Sequence, residues 1–384
     1  MPLSRRPPDS DAPTTDRRSW LAGALAGAAC AAFVDPAQAG SEAASAPKAP
    51  GAKTPTLAPL LDRNHGLSPE FSGGLSNHVS MGLYSLSALG ASRAQIERFA
   101  EVHWPRLEPL PGAPGPAISA ENWKGYRGKS DAINGYRALF TAAIARDGRD
   151  ATLRKYLPDL LPGIGAAAFH PLIRTAYGVR FGDDREVADG LAYWAIAYRA
   201  LGPLGSAGAE RDPRALLASV HATPALVVRE QSGLIGGKMK SAAELPEFRA
   251  KVDALAPSDT TLAALAAASV RLYADGGDFI LLHAVTGTHA YRLLQPFMQP
   301  SELGLRYFWQ AFLAAYVSTG APSVVDPPSG SVPAWNESLE RARASVDEHD
   351  IKLVEVAQQE AAFYGDPLLY RRAAARRMKL IERG

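Results

Sequence analysis

From Leu57 onward, apolar residues recur at spacings of three and four, and no stretch of six or more alternates cleanly with period two. Residues at i, i+3, i+4 and i+7 share one face of a helix, whereas a half-buried strand needs alternation. Segments 77–90, 131–146, 186–201, 259–274, 302–318 and 336–364 carry the helical spacing. Breakers fall between them, at Pro109 to Pro116, Gly163 to Gly165, Gly202 to Gly208, Gly233 to Gly237 and Pro322 to Pro333. No fixed-period repeat or low-complexity linker divides residues 57–384. The expectation is an all-α protein: a single large helical domain, a multi-helix array around a buried central site. A two-lobed helical array is the alternative.

The first 56 residues read differently. Arg17 and Arg18 precede an apolar run from Trp20 to Val34, and Ala37-Gln38-Ala39 follows it. That order of charge, apolar run and small-residue site is expected of an export signal over 1–39, of a type resembling the twin-arginine signal, and implies a periplasmic destination. The run is too short to span a bilayer. A disordered, Ala-rich tail on a cytoplasmic protein is the competing reading. Residues 40–56, rich in Ala, Ser, Pro and Lys, read as a flexible lead-in.

Charge and cysteine content narrow the chemistry. Forty-one Lys and Arg against thirty-nine Asp and Glu leave a net charge of +2, too little to advertise nucleic acid as a partner. Cleavage after Ala39 would remove four Arg and four Asp and leave that balance unchanged. The single cysteine, Cys30, lies in the signal segment, so disulfides and Cys-based zinc sites are excluded. Any metal must be held by nitrogen and oxygen ligands.

The longest helix candidate places Leu339, Ala342, Val346, His349, Leu353, Val356, Glu360 and Phe363 on one stripe. His349 therefore points to the core, and Lys352 adjoins it three residues later. A buried lysine is costly without compensation, so the two need a joint explanation. His78, His170 and His283 also fall in apolar helical segments. Each alone reads better as a satisfied core imidazole than as a ligand. Together, one shared ion is the more economical account. His283 and His289 are six residues apart and cannot both face one ion from an unbroken helix, so one of the two is spare.

Other motifs are weaker. Gly233 to Lys238 resembles part of a phosphate loop, but Met239 stands where a hydroxyl is needed, and the segment reads as a glycine-rich surface loop. No Gly-x-Gly-x-x-Gly follows a strand, and no Gly-x-Ser-x-Gly occurs. Asp183, Asp184 and Glu186 read as helix-start charges. Tyr84, Tyr177 and Trp194 are candidates for an aromatic pocket wall, with burial in the core as the commoner role of such residues.

Four blocks carry a family resemblance: LLDRNHGLSPEFSGGLSNHVSMGLYSLSALGAS (60–92), FHPLIRTAYGVRF (169–181), DFILLHAVTGTHA (278–290) and DEHDIKLVEV (347–356). In combination they resemble the questin oxidase-like family. The resemblance implies a largely helical oxidoreductase that inserts oxygen into, or cleaves, an aromatic or quinone ring of polyketide type. It implies Fe(II) held by His78, His170, His283 and His349 with a carboxylated Lys352, His289 being the reserve ligand, O2 as co-substrate and NADPH as an external reductant. A metal-free, NADPH-dependent Baeyer-Villiger-type enzyme and a non-catalytic helical binding protein are the alternatives. The chain departs from the family pattern at Met81 and Gly82, where further histidines often follow Asn-His.

Overall fold

The computed structural model describes residues 57–227, 233–326 and 330–382. The segments expected to be an export signal and a lead-in, with Cys30, lie outside these residues. The expected all-α class is what is found. In chain order the elements are α1 (Ala58–His65), a hairpin of β1 (Glu70–Phe71) and β2 (Leu75–Ser76), α2 (Val79–Ala88), α3 (Arg93–His103), α4 (Ile133–Asp147), α5 (Arg149–Leu160), α6 (His170–Phe181), α7 (Asp184–Ala197), α8 (Pro213–His221), α9 (Ile235–Ala243), α10 (Phe248–Asp253), α11 (Thr261–Gly276), α12 (Phe279–Leu294), α13 (Ser301–Val317), α14 (Trp335–Ala344), α15 (Glu348–Tyr364) and α16 (Pro367–Arg377). Strands β1 and β2 pair antiparallel, Glu70 opposite Ser76. Among the described residues no helix is long and apolar enough to cross a membrane.

Burial explains which helices sit at the centre. Every residue of α12 from Ile280 to Tyr291 is buried, His283 and His289 included, so it is apolar on all sides and lies inside the array. It packs against α6, α11, α13 and α15. Helix α15 packs in turn against α2, and α2 against α6. The four helices α2, α6, α12 and α15 thus touch in a closed cycle.

Helix α6 is held in that cycle by close backbone approach to α7. A Cβ on Gly190 of α7 would lie 2.7 Å from Thr175 N and 2.8 Å from Thr175 Cα. A Cβ on Gly178 of α6 would lie 2.7 Å from Val187 N. Charges reinforce the contact. Arg174 of α6 donates to Glu186 (2.9 Å) and Asp189 (3.2 Å) of α7, and Asp189 also pairs with Arg137 of α4 and His65 of α1. Burial alone would raise the Asp189 carboxyl, but His65, Arg174 and Arg137 bring it down to about 2.

One expectation needs correction here. Segment 336–364 is two helices, because Ser345 and Asp347 adopt extended backbone between α14 and α15. Short polar side chains win over continued helix: Asp347 Oδ1 caps α15 by accepting from His349 N at 2.8 Å, and the Ser345 hydroxyl accepts from Asp347 N at 3.0 Å. His349 is consequently a first-turn residue, and Phe363, at the far end of the proposed stripe, is 59% exposed. Asp183 caps α7 and Glu186 lies in its first turn, as expected; Glu186 is in addition fully buried and pairs with Arg174.

Gly190→Ala tests the α6–α7 approach. Helix propensity alone would favour alanine by about 1 kcal/mol, but the obstructing atoms are backbone and cannot rotate away. The substitution is expected to destabilise the protein by about 1–3 kcal/mol in urea unfolding; an unchanged or raised midpoint would contradict this packing.

Candidate metal centre

Each helix of the closed cycle brings one histidine to its N-terminal end. His78 is the N-cap of α2, His170 opens α6, His349 is the second residue of α15, and His283 lies one turn into α12. Ring centroids are 4.4 Å apart for His78 and His170, 4.9 Å for His170 and His283, 5.1 Å for His283 and His349, and 4.8 Å for His349 and His78. The imidazoles therefore close a ring in the same order as the helices that carry them. One ring nitrogen from each can be chosen so that all lie within 4.8 Å of one another.

Local backbone fixes which nitrogen faces inward. His78 Nδ1 lies 2.6 Å from the Ser76 carbonyl, His170 Nδ1 2.5 Å from the Ala167 carbonyl, and His283 Nδ1 2.8 Å from the Phe279 carbonyl. A carbonyl only accepts, so in each of these Nδ1 carries the hydrogen and Nε2 is left with a bare lone pair. His349 Nδ1 has Asp347 Oδ1 at 3.3 Å in the same role. Such outer partners orient metal-binding imidazoles and make them more basic. The Ala167 carbonyl is presented by an unusual turn: Ala167, Ala168 and Phe169 have φ of 43°, 56° and 67°. Three successive left-handed L-residues are strained, at about 1–2 kcal/mol each.

His78 Nε2 and His170 Nε2 are 2.7 Å apart. With both Nδ1 hydrogens already donated, two acceptors meet in a largely buried contact, which is repulsive without a positive charge between them. Protonation is a poor remedy. Burial first, and then the nearby Lys352 ammonium and neighbouring imidazoles, hold His78 and His170 well below their ordinary value. Burial and the other imidazoles depress His283 in the same way, and burial lowers His349 despite Asp347. A metal ion accepts lone pairs from uncharged imidazoles and fits the donor set present.

Lys352 lies one turn beyond His349, is 0% exposed, and its Nζ has no hydrogen-bond partner among the described residues. Burial brings its pKa down to about 8, with Glu348 and Asp347 opposing the fall. Burial thus favours the neutral amine more than it is favoured in a free lysine.

Sequence reasoning missed Glu348. Its carboxylate is 3.6 Å from His78 Nδ1, 3.7 Å from His349 Nδ1 and 3.5 Å from His103 Nε2. Its position directly before His349 in Asp-Glu-His-Asp was the available signal. His289, the reserve, is not brought to the cluster: its Nδ1 lies 2.6 Å from Glu360 Oε1, and Glu360 also accepts from Arg292. Tyr84, Tyr177 and Trp194 are not in the wall of the cavity that the four histidines line. They are buried and hydrogen-bonded to Asp183, Ser85 and Glu355, and Gly163 respectively.

The four histidines line one end of a cavity of about 940 Å3 that opens between the β1–β2 hairpin, the end of α7, the start of α9 and Phe279. Gly233 to Lys238, expected as a surface loop, instead forms the approach and first turn of α9 and lines this chamber. Its volume suits a ligand of several fused rings.

Two outcomes follow from this arrangement. Fe(II) or Zn(II) at one hundred times its Kd should stabilise the wild type by about 2.7 kcal/mol, read as a rise in thermal midpoint that His170→Ala and His283→Ala lose; an equal rise in the variants would contradict the site. The second concerns acid. The imidazoles are depressed in the fold, so the unfolded chain takes up protons first as pH falls through about 6.5. Their contribution is full above that pH and is lost below it, so the metal-free protein's urea midpoint should drop between about pH 7.5 and 5.5. A flat profile would show that the imidazoles are not held neutral.

A sequence model described as questin oxidase-like matches residues 75–357, a span holding all four histidines and Lys352. No curated protein matches the chain.

Proposed function

The chain belongs to the questin oxidase-like family, and we propose that it is a non-haem iron oxygenase that inserts oxygen into, or cleaves, an electron-rich aromatic or quinone ring. The observation that carries this reading is the convergence of four neutral imidazoles beside a buried, unpartnered amine at the end of a chamber large enough for fused rings. His78, His170, His283 and His349 would hold Fe(II), and Lys352, carboxylated on Nζ, would add the one anionic oxygen. Iron held there would supply the capacity to bind and activate dioxygen. A monooxygenase course would draw two electrons from an external reductant such as NADPH; a dioxygenase course would draw none.

The chain's own groups perform the remaining tasks. The carbonyls of Ser76, Ala167 and Phe279 keep Nδ1 protonated and Nε2 available. Lys352, whose neutral form burial favours, can react with CO2 through its lone pair, and the lost proton leaves the carbamate anionic. Phe279 is 46% exposed and meets His283 and His349 edge-on, at 4.8 and 4.6 Å. It gives an aromatic substrate a surface to lie on. Glu348 lines the chamber and is placed to take up or hand on a proton at Oε1 or Oε2. The same reading has the protein exported by its twin-arginine-like signal to the periplasm.

Oxygen uptake tests the assignment. Iron-loaded protein given a hydroxylated anthraquinone or related ring should consume O2, and a strong chelator or Lys352→Met should abolish the uptake. Native mass should exceed the chain mass by one CO2, lost on acidification, and a short carboxylic acid should restore iron binding to Lys352→Met. Chelator-insensitive NADPH consumption would favour the metal-free enzyme, and tight ring binding without O2 uptake would favour a non-catalytic binding protein.

A further inference from the structure

Among the described residues, eight large apolar side chains are well exposed, and three of them, Leu75 (42%), Leu234 (48%) and Phe279 (46%), line the chamber that the four histidines also line. They come from the hairpin, the approach to α9 and the start of α12. Apolar surface gathered this way and left uncovered marks a contact for a ligand. The same wall contains Arg106, Arg199 and Lys238, from three further places in the chain. None of the three makes an ion pair or hydrogen bond with a described residue. Arg106 has only a cation–π approach, 5.5 Å from the Phe71 ring, and Arg199 acts on Glu70 only at longer range.

The acidic groups of the wall are otherwise engaged. Asp278 caps α12 by accepting from Ile280 N and Leu281 N. Glu348 stands among His78, His103 and His349. Glu70 accepts from Tyr193 Oη at 3.2 Å, and its partial burial raises its pKa towards the neutral form. Asp278 and Glu70 thus already accept hydrogen bonds and Glu348 sits on the imidazole side, whereas the three cations have no acceptor among the described residues. Two guanidinium groups can hold a planar oxyanion through paired hydrogen bonds.

We infer that the chamber takes a flat aromatic anion, its ring body on Leu75, Leu234 and Phe279 and its carboxylate or phenolate oxygen held by Arg106, Arg199 and Lys238. This rests on the chamber being the substrate site, as proposed above. It narrows that proposal: of the aromatic and quinone rings an oxygenase could attack, those carrying an acidic group are selected. It also assigns orientation, since an anionic end bound at the basic wall leaves the opposite part of the ring to approach the imidazoles.

Equilibrium binding of anthraquinone-2-carboxylate and its uncharged carboxamide to the full chain, at low ionic strength and without added metal, provides the test. The carboxylate should bind about tenfold more tightly, with the preference shrinking as salt is raised. In an Arg106→Gln/Arg199→Gln double variant the preference should fall to near unity while the carboxamide binds as before, which shows the chamber intact. Equal affinities in the wild type, a preference that persists in the variant, or an equal loss of both ligands would overturn the inference. Failure of the oxygenase reading looks different: no O2 is consumed, yet the metal-free binding preference stands. If neither ring binds, the chamber itself is not the substrate site.

Discussion

Two uncharged imidazoles whose free lone pairs meet away from bulk water repel each other unless a cation stands between them. The contact of His78 Nε2 with His170 Nε2 is of this kind, and His283 and His349 complete the ring around the same point. Much of the surrounding architecture serves that convergence. The closed cycle of α2, α6, α12 and α15 delivers one histidine per helix. The glycine-mediated contact of α6 with α7, and the Arg174–Glu186–Asp189 network, hold His170 in place from behind. Strain at Ala167, Ala168 and Phe169 is tolerated where it aims a carbonyl at His170 Nδ1.

The field at the centre also favours an anionic ligand. Four helices begin near the imidazoles, and each N-terminus carries roughly half a positive charge. Asp278 and Asp347 cap two of them; α6 begins without a side-chain cap. A cation surrounded only by neutral imidazoles and helix N-termini would be poorly balanced, whereas one with a carbamate on Lys352 would not. This gives the buried amine a physical reason to be where it is, apart from any family likeness.

Much of this was legible in the sequence. Spacings of three and four gave the fold class, and the apolar settings of His78, His170, His283 and His349 marked the four imidazoles that the structure gathers. The break before α15 was hidden because Val346 continues the apolar register, and only the capping preference of Asp347 argues against continuity. His283 and His289 look alike in sequence. Their difference lies in partners from distant segments, Glu360 and Arg292 around His289 and the other three imidazoles around His283. The carbonyls that set the tautomers are backbone groups and leave no residue-type signal. The chamber was equally invisible, since its walls come from the hairpin, the end of α7 and the start of α9, and the glycine-rich segment Gly233 to Lys238 read as a surface loop.

The account's central claim is that these four imidazoles are uncharged ligands of one ion. X-ray absorption at the iron edge on the Fe(II)-loaded protein addresses it directly. The account predicts a nitrogen and oxygen shell with the outer multiple-scattering pattern of about four imidazoles, reduced by one in His283→Ala. Iron surrounded by oxygen alone, with no imidazole pattern, would contradict it.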